Sequence, residues 1–128
     1  MKIGNVRVMV LLLALLAGCQ EGFKIIVEDL SERVPSFRLE SLAMLSQEGV
    51  EITNFAIIEF AHDGKIKDLM WRIESNDQSP HRVRGIKYGV VPAGFRETSA
   101  PKALNVGIRY EAASRMPSKI GYVEFVLR

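Results

Sequence analysis

The pattern of apolar and polar positions divides this chain into one continuous apolar run near its start and a series of short alternating segments. The run extends from Val8 to Ala17 without a charge or helix breaker, and Lys2 and Arg7 precede it. A bilayer-spanning helix needs about 20 apolar residues, whereas the apolar part of a secretory signal needs about 7–15. We therefore predict an N-terminal signal helix over residues 1–18, with a buried core helix as the alternative.

Most segments after Pro35 alternate with the period of two that is typical of half-buried strands. The Asp63-Gly64 pair predicts a tight hairpin turn, and 76–80 predicts a second turn. Pro92, Gly94 and Pro101 predict a long loop. The predicted inward-facing sets are Phe37 and Leu39; Val50, Ile52, Ala56, Ile58 and Phe60; Leu69, Trp71 and Ile73; Ile86, Tyr88 and Val90; Leu104, Val106, Ile108 and Tyr110; and Val123, Phe125 and Leu127.

These segments predict the fold class. About seven short strands without a long helix indicate an all-β protein, a single antiparallel β-sandwich over residues 36–128. Residues 19–35 have two interpretations. They form a tether, or the β-branched segment Phe23–Val27 forms a first strand.

The residues at the end of the apolar run indicate which type of secretory signal this segment is. Leu16, Ala17 and Gly18 stand before Cys19, and this tetrapeptide resembles the lipobox of bacterial lipoproteins. An ordinary secretory cleavage site also needs small residues, but it does not need cysteine. The resemblance covers residues 1–20 and implies a diacylglyceryl thioether on Cys19, cleavage before it, and acylation, for example with palmitate, of the new amino terminus. Each buried methylene adds about 0.8 kcal/mol, so two or three chains anchor a protein stably.

The residue after the cysteine bears on localisation. Gln20 stands where an aspartate commonly signals retention at the inner membrane in enteric lipoproteins. The resemblance therefore implies lipid anchoring at the outer membrane, and we expect the domain on the periplasmic face.

The segment Leu104–Tyr110 resembles the tyrosine corner of fibronectin type III domains. Leu104, Gly107 and Tyr110 are in register with that motif, whereas Val106 and Ile108 replace its proline and threonine. The resemblance implies a buried Tyr110 ring whose hydroxyl bonds to backbone a few residues upstream. It also implies that Trp71 and Tyr88 are core aromatic residues. The predicted sandwich is thus fibronectin type III-like or immunoglobulin-like, with a transthyretin-like sandwich as the alternative.

Charge and cysteine content exclude several classes of function. The chain has 17 basic and 15 acidic residues, and removal of Lys2 and Arg7 leaves a neutral mature protein. Nucleic-acid binding needs a basic face, so we expect no nucleic-acid partner. Cys19 is the single cysteine, and its lipidation would exclude disulfides and thiolate metal sites. We predict no cofactor and no metal.

Candidate catalytic residues are few. His62 and His81 belong to predicted turns at opposite ends of the Trp71 strand, so we interpret them as solvated residues, and we expect no metal site shared with Asp63 and Asp77. The following glutamates are predicted to lie on the solvated faces of strands: Glu40, Glu51, Glu59, Glu74, Glu111 and Glu124. Of these, Glu124 fits a solvated position least well. The sequence therefore favours a protein that is not an enzyme.

Two clusters are candidates for partner binding. Arg82 and Arg84, with Lys87 and with Arg72 on a neighbouring strand, form a basic strip for an acidic partner or protect an edge strand by charge. Phe95 either folds over the edge of the sandwich or projects with Arg96 as a partner-binding tip.

Taken together, these features predict a membrane-anchored envelope lipoprotein that acts as a non-catalytic protein-binding or scaffold module. Such a module would bind another envelope protein, for example as an accessory subunit of an assembly. The alternative is a surface-exposed ligand-binding or enzyme-inhibitor lipoprotein, and an envelope enzyme is a weaker third hypothesis.

Overall fold

A computed structural model describes residues 21–30, 34–41, 49–117 and 119–128. The predicted signal segment 1–18 and Cys19 lie outside these ranges. Within them the protein is all-β, and no helix there has the length and apolar character needed to cross a membrane. The strands are β1 (Glu21–Asp29), β2 (Ser36–Ser41), β3 (Val50–Ile52), β4 (Asn54–Phe60), β5 (Ile66–Ser75), β6 (His81–Val83), β7 (Gly85–Lys87), β8 (Phe95–Ser99), β9 (Arg109–Arg115) and β10 (Lys119–Val126).

Eight of these strands form one curled mixed sheet in the order β7-β2-β1-β10-β9-β4-β5-β8, and β3 pairs with β6 in a second, small sheet. The β1–β10 pair is parallel, whereas the other strand pairs are antiparallel. The all-β prediction is confirmed. The prediction of a purely antiparallel arrangement is wrong at the β1–β10 pair, which joins the two ends of the domain.

The core lies between the two halves of the curled sheet. The Phe37 ring on β2 lies 5.5 Å from the Phe55 ring on β4 and 5.3 Å from the Phe125 ring on β10. The Trp71 ring on β5 lies 5.4 Å from the ring of Tyr88, which follows β7. Edge-on and tilted aromatic pairs of this kind stabilise a core beyond their area burial. Trp71 and Tyr88 are therefore core aromatic residues, as predicted.

The structure decides between the two interpretations of residues 23–27. They belong to β1, whose Phe23 and Ile25 side chains are buried. β1 lies between β2 and β10, so the folded domain includes residues 21–29 as well as those from residue 36 onward. The tether interpretation is wrong for this segment, because its apolar side chains complete the core.

The predicted single strand from Val50 to Phe60 is wrong. β3 pairs with β6, whereas β4 pairs with β5 and β9, so the chain changes sheets at Thr53. This change resets the alternation. Phe55 and Ile57 are fully buried, and the residues predicted to point inward, Ala56, Ile58 and Phe60, are only half-buried.

The prediction that Val90 and Val106 point inward is also wrong, because their side chains are 56% and 55% exposed. β9 begins only at Arg109, and the preceding loop contacts the last strand through the Gly107 amide, which donates to the Leu127 carbonyl. Leu104 remains buried at the start of this loop. In this loop, the backbone conformation and not the alternation of a strand therefore determines which side chains point inward.

The predicted long loop between Pro92 and Pro101 contains a strand. β8 pairs with β5 and adds an edge to the sheet. A register shift in β5 accompanies the pairing with β4, and Met70 is buried while Leu69, predicted to point inward, is half-buried. The additional strand β8 and the register shift in β5 both depend on neighbouring strands that are distant in sequence.

Candidate functional site

The sheet is incompletely closed at the junction of β1 with β10. Their pairing is limited to Glu21 opposite Lys119 and Gly22 opposite Ile120. Beyond these residues a groove of about 680 Å³ lies between the two strands, which we call the β1–β10 groove. It is lined by Lys24, Ile25, Ile26, Val27, Leu30, Arg109, Val123, Glu124, Phe125, Val126 and Arg128.

The floor of the β1–β10 groove is apolar. Ile25 and Phe125 are buried there as part of the core. Val27, Leu30 and Val123 pack against the core but are only partly buried. Covering such side chains is worth about 25 cal/mol per Å² of apolar surface. An occupant that presents apolar side chains to this floor would therefore be stabilised.

The rim of the groove is mainly basic. Lys24, Arg109 and Arg128 are exposed cations, and Glu124 is the single carboxylate among the described residues that line the groove. The Arg109 guanidinium lies over the Phe60 ring at 5.1 Å from its centroid, a cation–π contact that orients it. The balance of charge favours an acidic occupant.

The outer face of β10, beside the groove, carries exposed apolar side chains. Tyr122 is 62% exposed, and Ile120 and Val126 are also exposed. Tyr122 lies opposite Ala113 on β9, which lies opposite Ala56 on β4. Tyr122 thus has a small residue beside it on each of the next two strands, and exposed tyrosines are frequent at protein interfaces.

Buried polar contacts fix the scaffold behind the groove. The Tyr110 ring is fully buried, and its hydroxyl accepts a hydrogen bond of 2.8 Å from the Asn105 amide, which confirms the predicted upstream bond. The Trp71 indole donates to the Glu97 carboxylate at 2.9 Å. The Tyr88 hydroxyl contacts the Met70 carbonyl, and burial raises the pKa of Tyr88 to about 12.

A polar cluster surrounds Asp77 in the turn after β5. Its Oδ1 accepts hydrogen bonds from Ser75 Oγ and Ser79 Oγ, each at 2.7 Å, and lies 2.9 Å from His81 Nε2. The hydrogen bond from Ser75, followed by those from Ser79 and His81, lowers the pKa of Asp77. A serine nucleophile needs the histidine as its base, but here both hydroxyls bond to the carboxylate. The cluster therefore stabilises a turn and does not form a catalytic triad.

The two histidines lie far apart along β5. His62 is exposed in the hairpin before this strand, as predicted. His81, predicted to be a solvated turn residue, is instead the half-buried first residue of β6, because it pairs with Ile52 on β3. Across the part of the chain that the structure describes, no group of three His, Cys, Asp or Glu residues could hold a metal ion.

Phe95 is only 6% exposed, and its ring lies edge-on to the His81 ring at 5.8 Å between centroids. The hypothesis that Phe95 projects as a binding tip is therefore wrong, and its alternative, folding over the domain, is correct. Arg96 beside it is exposed and lies 3.9 Å from the Glu74 carboxylate. The structure does not form a binding tip at this position because the segment becomes strand β8.

Arg82 and Arg84 flank the buried residue Val83 and are both exposed. Arg82 lies opposite Glu51 in the β3–β6 pair. Arg72, which the sequence offered as a neighbour of this strip, instead pairs with Glu74 at 2.7 Å. The strip is therefore interrupted by carboxylates and is a weaker acidic-partner site than the groove.

One glutamate departs from the predicted solvated faces. Glu111 is buried and bonds to the Arg115 guanidinium at 2.7 Å. It lies on β9 between Ile58 of β4 and Glu124 of β10, and these neighbours cover it. Glu124, which was expected to fit a solvated position least well, is exposed.

Sequence reasoning missed the β1–β10 groove. The one local signal was the run Ile25-Ile26-Val27, where three apolar residues in succession interrupt strand alternation and leave Ile26 half-buried on the opposite face. The predicted lipobox, Leu16, Ala17, Gly18 and Cys19, lies outside the described residues.

Comparisons with known proteins do not place this chain in a family. No protein-family model matches it, and searches of curated proteins and of solved structures found no significant match. Function is therefore inferred from the residues of this chain alone.

Proposed function

We propose that this chain is a lipid-anchored envelope protein whose domain is a non-catalytic protein-binding module. The anchor is the lipid on Cys19, and the site is the periplasmic face of the outer membrane, as the lipobox resemblance implies. The observation that carries the binding function is the β1–β10 groove, where two strand edges face each other above an apolar floor. The partner is another envelope protein.

The start of β1 supports this arrangement. β1 begins at Glu21, so Gln20 alone separates it from Cys19. Two residues of extended chain span about 7 Å. A lipid on Cys19 would therefore hold the paired end of the groove at the bilayer. The other end, near Leu30 and Arg128, would lie further from the membrane, where a partner protein has access.

The strand order supports an immunoglobulin-like or fibronectin type III-like sandwich as the specific fold. In immunoglobulin-like domains one sheet contains strands A, B and E, and the other contains strands G, F and C. The orders β1-β2-β7 and β10-β9-β4 follow this arrangement. Tyr110 near the start of β9 occupies the place of the tyrosine corner. Strand β5, next to β4, takes the place of the C′ strand that variable-type domains add, and β8 and the β3–β6 pair are additions to that plan.

The anchor is tested by Cys19→Ser in the native bacterium grown with an alkyne-tagged fatty acid. The wild-type protein should incorporate the label, and the variant should remain unlabelled and uncleaved. Incorporation of label into the Cys19→Ser protein would refute the lipoprotein assignment.

The binding function is tested by photo-crosslinking in intact cells. A photoreactive residue at Val126, on the groove, should capture one dominant envelope protein. The matched control is the same residue at Thr98, which is exposed on the edge strand β8. Equal capture from both positions, or none from Val126, would contradict a specific binding module.

A further inference from the structure

Beyond the paired residues Gly22 and Ile120, no strand among the described residues pairs with the two walls of the β1–β10 groove. Past the paired residues Gly22 and Ile120, β1 continues to Asp29 and β10 continues to Val126. Their other edges are already paired with β2 and β9. Backbone N–H and C=O groups at an open edge are a ready template for another strand.

We propose that the groove binds an extended segment of the partner protein as an inserted β-strand, antiparallel to both β1 and β10. This inference rests on the proposed protein-binding function. Because β1 and β10 run in the same direction, a single inserted strand can be antiparallel to both of them. Antiparallel pairing is slightly more stable per residue than parallel pairing. The series β2, β1, inserted strand, β10 and β9 would then be antiparallel throughout.

The length of the groove walls sets the length of the segment. Gly121 packs against the Phe23 ring of β1, so the open part of β10 extends from Tyr122 to Val126, and a strand rises about 3.3 Å per residue. A segment of about five residues, roughly 16 Å long, would pair with both walls. Main-chain hydrogen bonds would supply affinity, and alternate side chains would supply specificity.

The lining determines the sequence of the segment. Side chains that point inward would meet Val27, Leu30 and Val123, so they are apolar. Side chains that point outward would lie among the cations of the rim, so they are acidic. The partner segment therefore alternates apolar and acidic residues, a pattern that would be soluble before insertion.

A second copy of this chain fits the groove less well. Edge-to-edge pairing of two sheets would satisfy one of the two facing edges and leave the other in water. The net positive rim, with Lys24, Arg109 and Arg128 against Glu124, would also repel the same rim of a second copy.

The probe for this inference is a blocked heptapeptide of alternating valine and glutamate, added to the full lipidated protein in nanodiscs. Amide hydrogen exchange should slow at least about tenfold in both walls, at 24–28 and at 122–126. One control peptide carries lysine in place of glutamate. A second keeps the glutamates but is N-methylated at alternate residues, which removes the hydrogen-bond donors along one edge of the strand while keeping the side chains. The lysine peptide should protect neither wall, and the N-methylated peptide should not protect both walls.

A charge-reversal variant tests the rim without touching the core. Lys24→Glu combined with Arg128→Glu should weaken binding of the acidic peptide at least about tenfold and should strengthen binding of the lysine peptide. Lys65→Glu combined with Lys87→Glu is the matched control, since both lysines are exposed and lie outside the groove. This control should leave the affinity within about twofold of wild type.

Three results would overturn the inserted strand. These are equal binding of the N-methylated peptide, protection of one wall only, and protection of the walls by dimerisation without peptide. If any of them occurs while Val126 still crosslinks one envelope protein, the binding function stands and strand insertion is wrong. If crosslinking from Val126 also fails, the proposed function is wrong as well.

Discussion

Strand β9 and the β1–β10 groove differ in how completely their backbone and side chains are covered. β9 is paired with β10 on one side and with β4 on the other, and Tyr110 and Ala112 on it are fully buried. β10, its neighbour, is paired along one edge and for two residues of the other, and Val123 on it remains partly exposed. Two adjacent strands thus differ in how far the domain itself covers them. In the proposed function, β9 contributes to stability and β10 presents the partner-binding site.

Their polar groups show the same difference. In the closed region the Tyr110 hydroxyl and the Trp71 indole have partners within the domain. At the groove the rim cations are exposed. Regions with solvated backbone and partly covered side chains open at low free energy, which is a property that binding sites share.

The largest effect should distinguish the core from the groove directly. Phe55→Ala removes a fully buried ring that contacts the rings of Phe37 and Trp71, and it should destabilise the protein by about 3–5 kcal/mol. Val123→Ala, which truncates a partly exposed side chain of the groove floor, should cost about 1 kcal/mol or less. Denaturant unfolding measures both values. Equal losses would show that the groove floor is as essential as the core.

A second prediction concerns the closed end of the groove. A Cβ at Gly121 would lie 2.3 Å from the Phe23 ring, so Gly121→Ala should force this buried ring to move. Overpacking of this kind costs about 1–3 kcal/mol. Gly85→Ala is the control, because the nearest atom to its added Cβ is 3.4 Å away. A thermal denaturation midpoint lowered equally by both substitutions would show that the contact with Phe23 is not the cause.

A third prediction compares two tyrosines. Tyr110→Phe removes the acceptor of the Asn105 amide hydrogen bond and should lower the free energy of unfolding by about 1 kcal/mol. Tyr122→Phe removes an exposed hydroxyl and should leave it unchanged. If the Tyr110→Phe protein were as stable as wild type, the corner would owe its stability to ring packing alone.

The smallest effect should come from the turn around Asp77 and should depend on pH. Hydrogen bonds lower the pKa of this carboxyl below its ordinary value of 3.8. The stability that they supply is therefore present above pH 3.8 and is lost as the pH falls below it. Asp77→Asn should lower the denaturation midpoint at pH 7, and the difference from wild type should narrow below pH 3.8. Asp63→Asn, in the exposed hairpin, is the control; a constant difference for Asp77→Asn across pH would contradict the linkage.

Local sequence patterns predicted the elements that depend on neighbouring residues. The Asp63-Gly64 hairpin is present, with the Lys65 amide donating to the Asp63 carboxylate and Gly64 at φ 82°. The alternation of Phe37 and Leu39 on β2 is also present. Turn chemistry and side-chain periodicity are properties of a few consecutive residues, so one sequence is enough to find them.

Predictions failed where the result depended on which strand lies beside which. The change of sheets at Thr53 reverses the buried face of Phe55 and its neighbours, and the polar Asn54 is its single local sign. The sequence predicts a loop at Phe95, but pairing with Ser75 makes Phe95 the buried first residue of the edge strand β8. A candidate contact residue thus became a core residue through a partner 20 positions away in the sequence.

The sequence alone determined the all-β class, the hairpin, and Tyr110 as the anchor of its corner, and it predicts the lipid attachment at Cys19. Tertiary structure decided the site. The β1–β10 groove exists because Glu21 and Gly22 pair with Lys119 and Ile120, residues from the other end of the domain, and because that pairing stops after two residues. Periodicity records which face of a strand is buried, but the identity and extent of its neighbour depend on the folded chain as a whole.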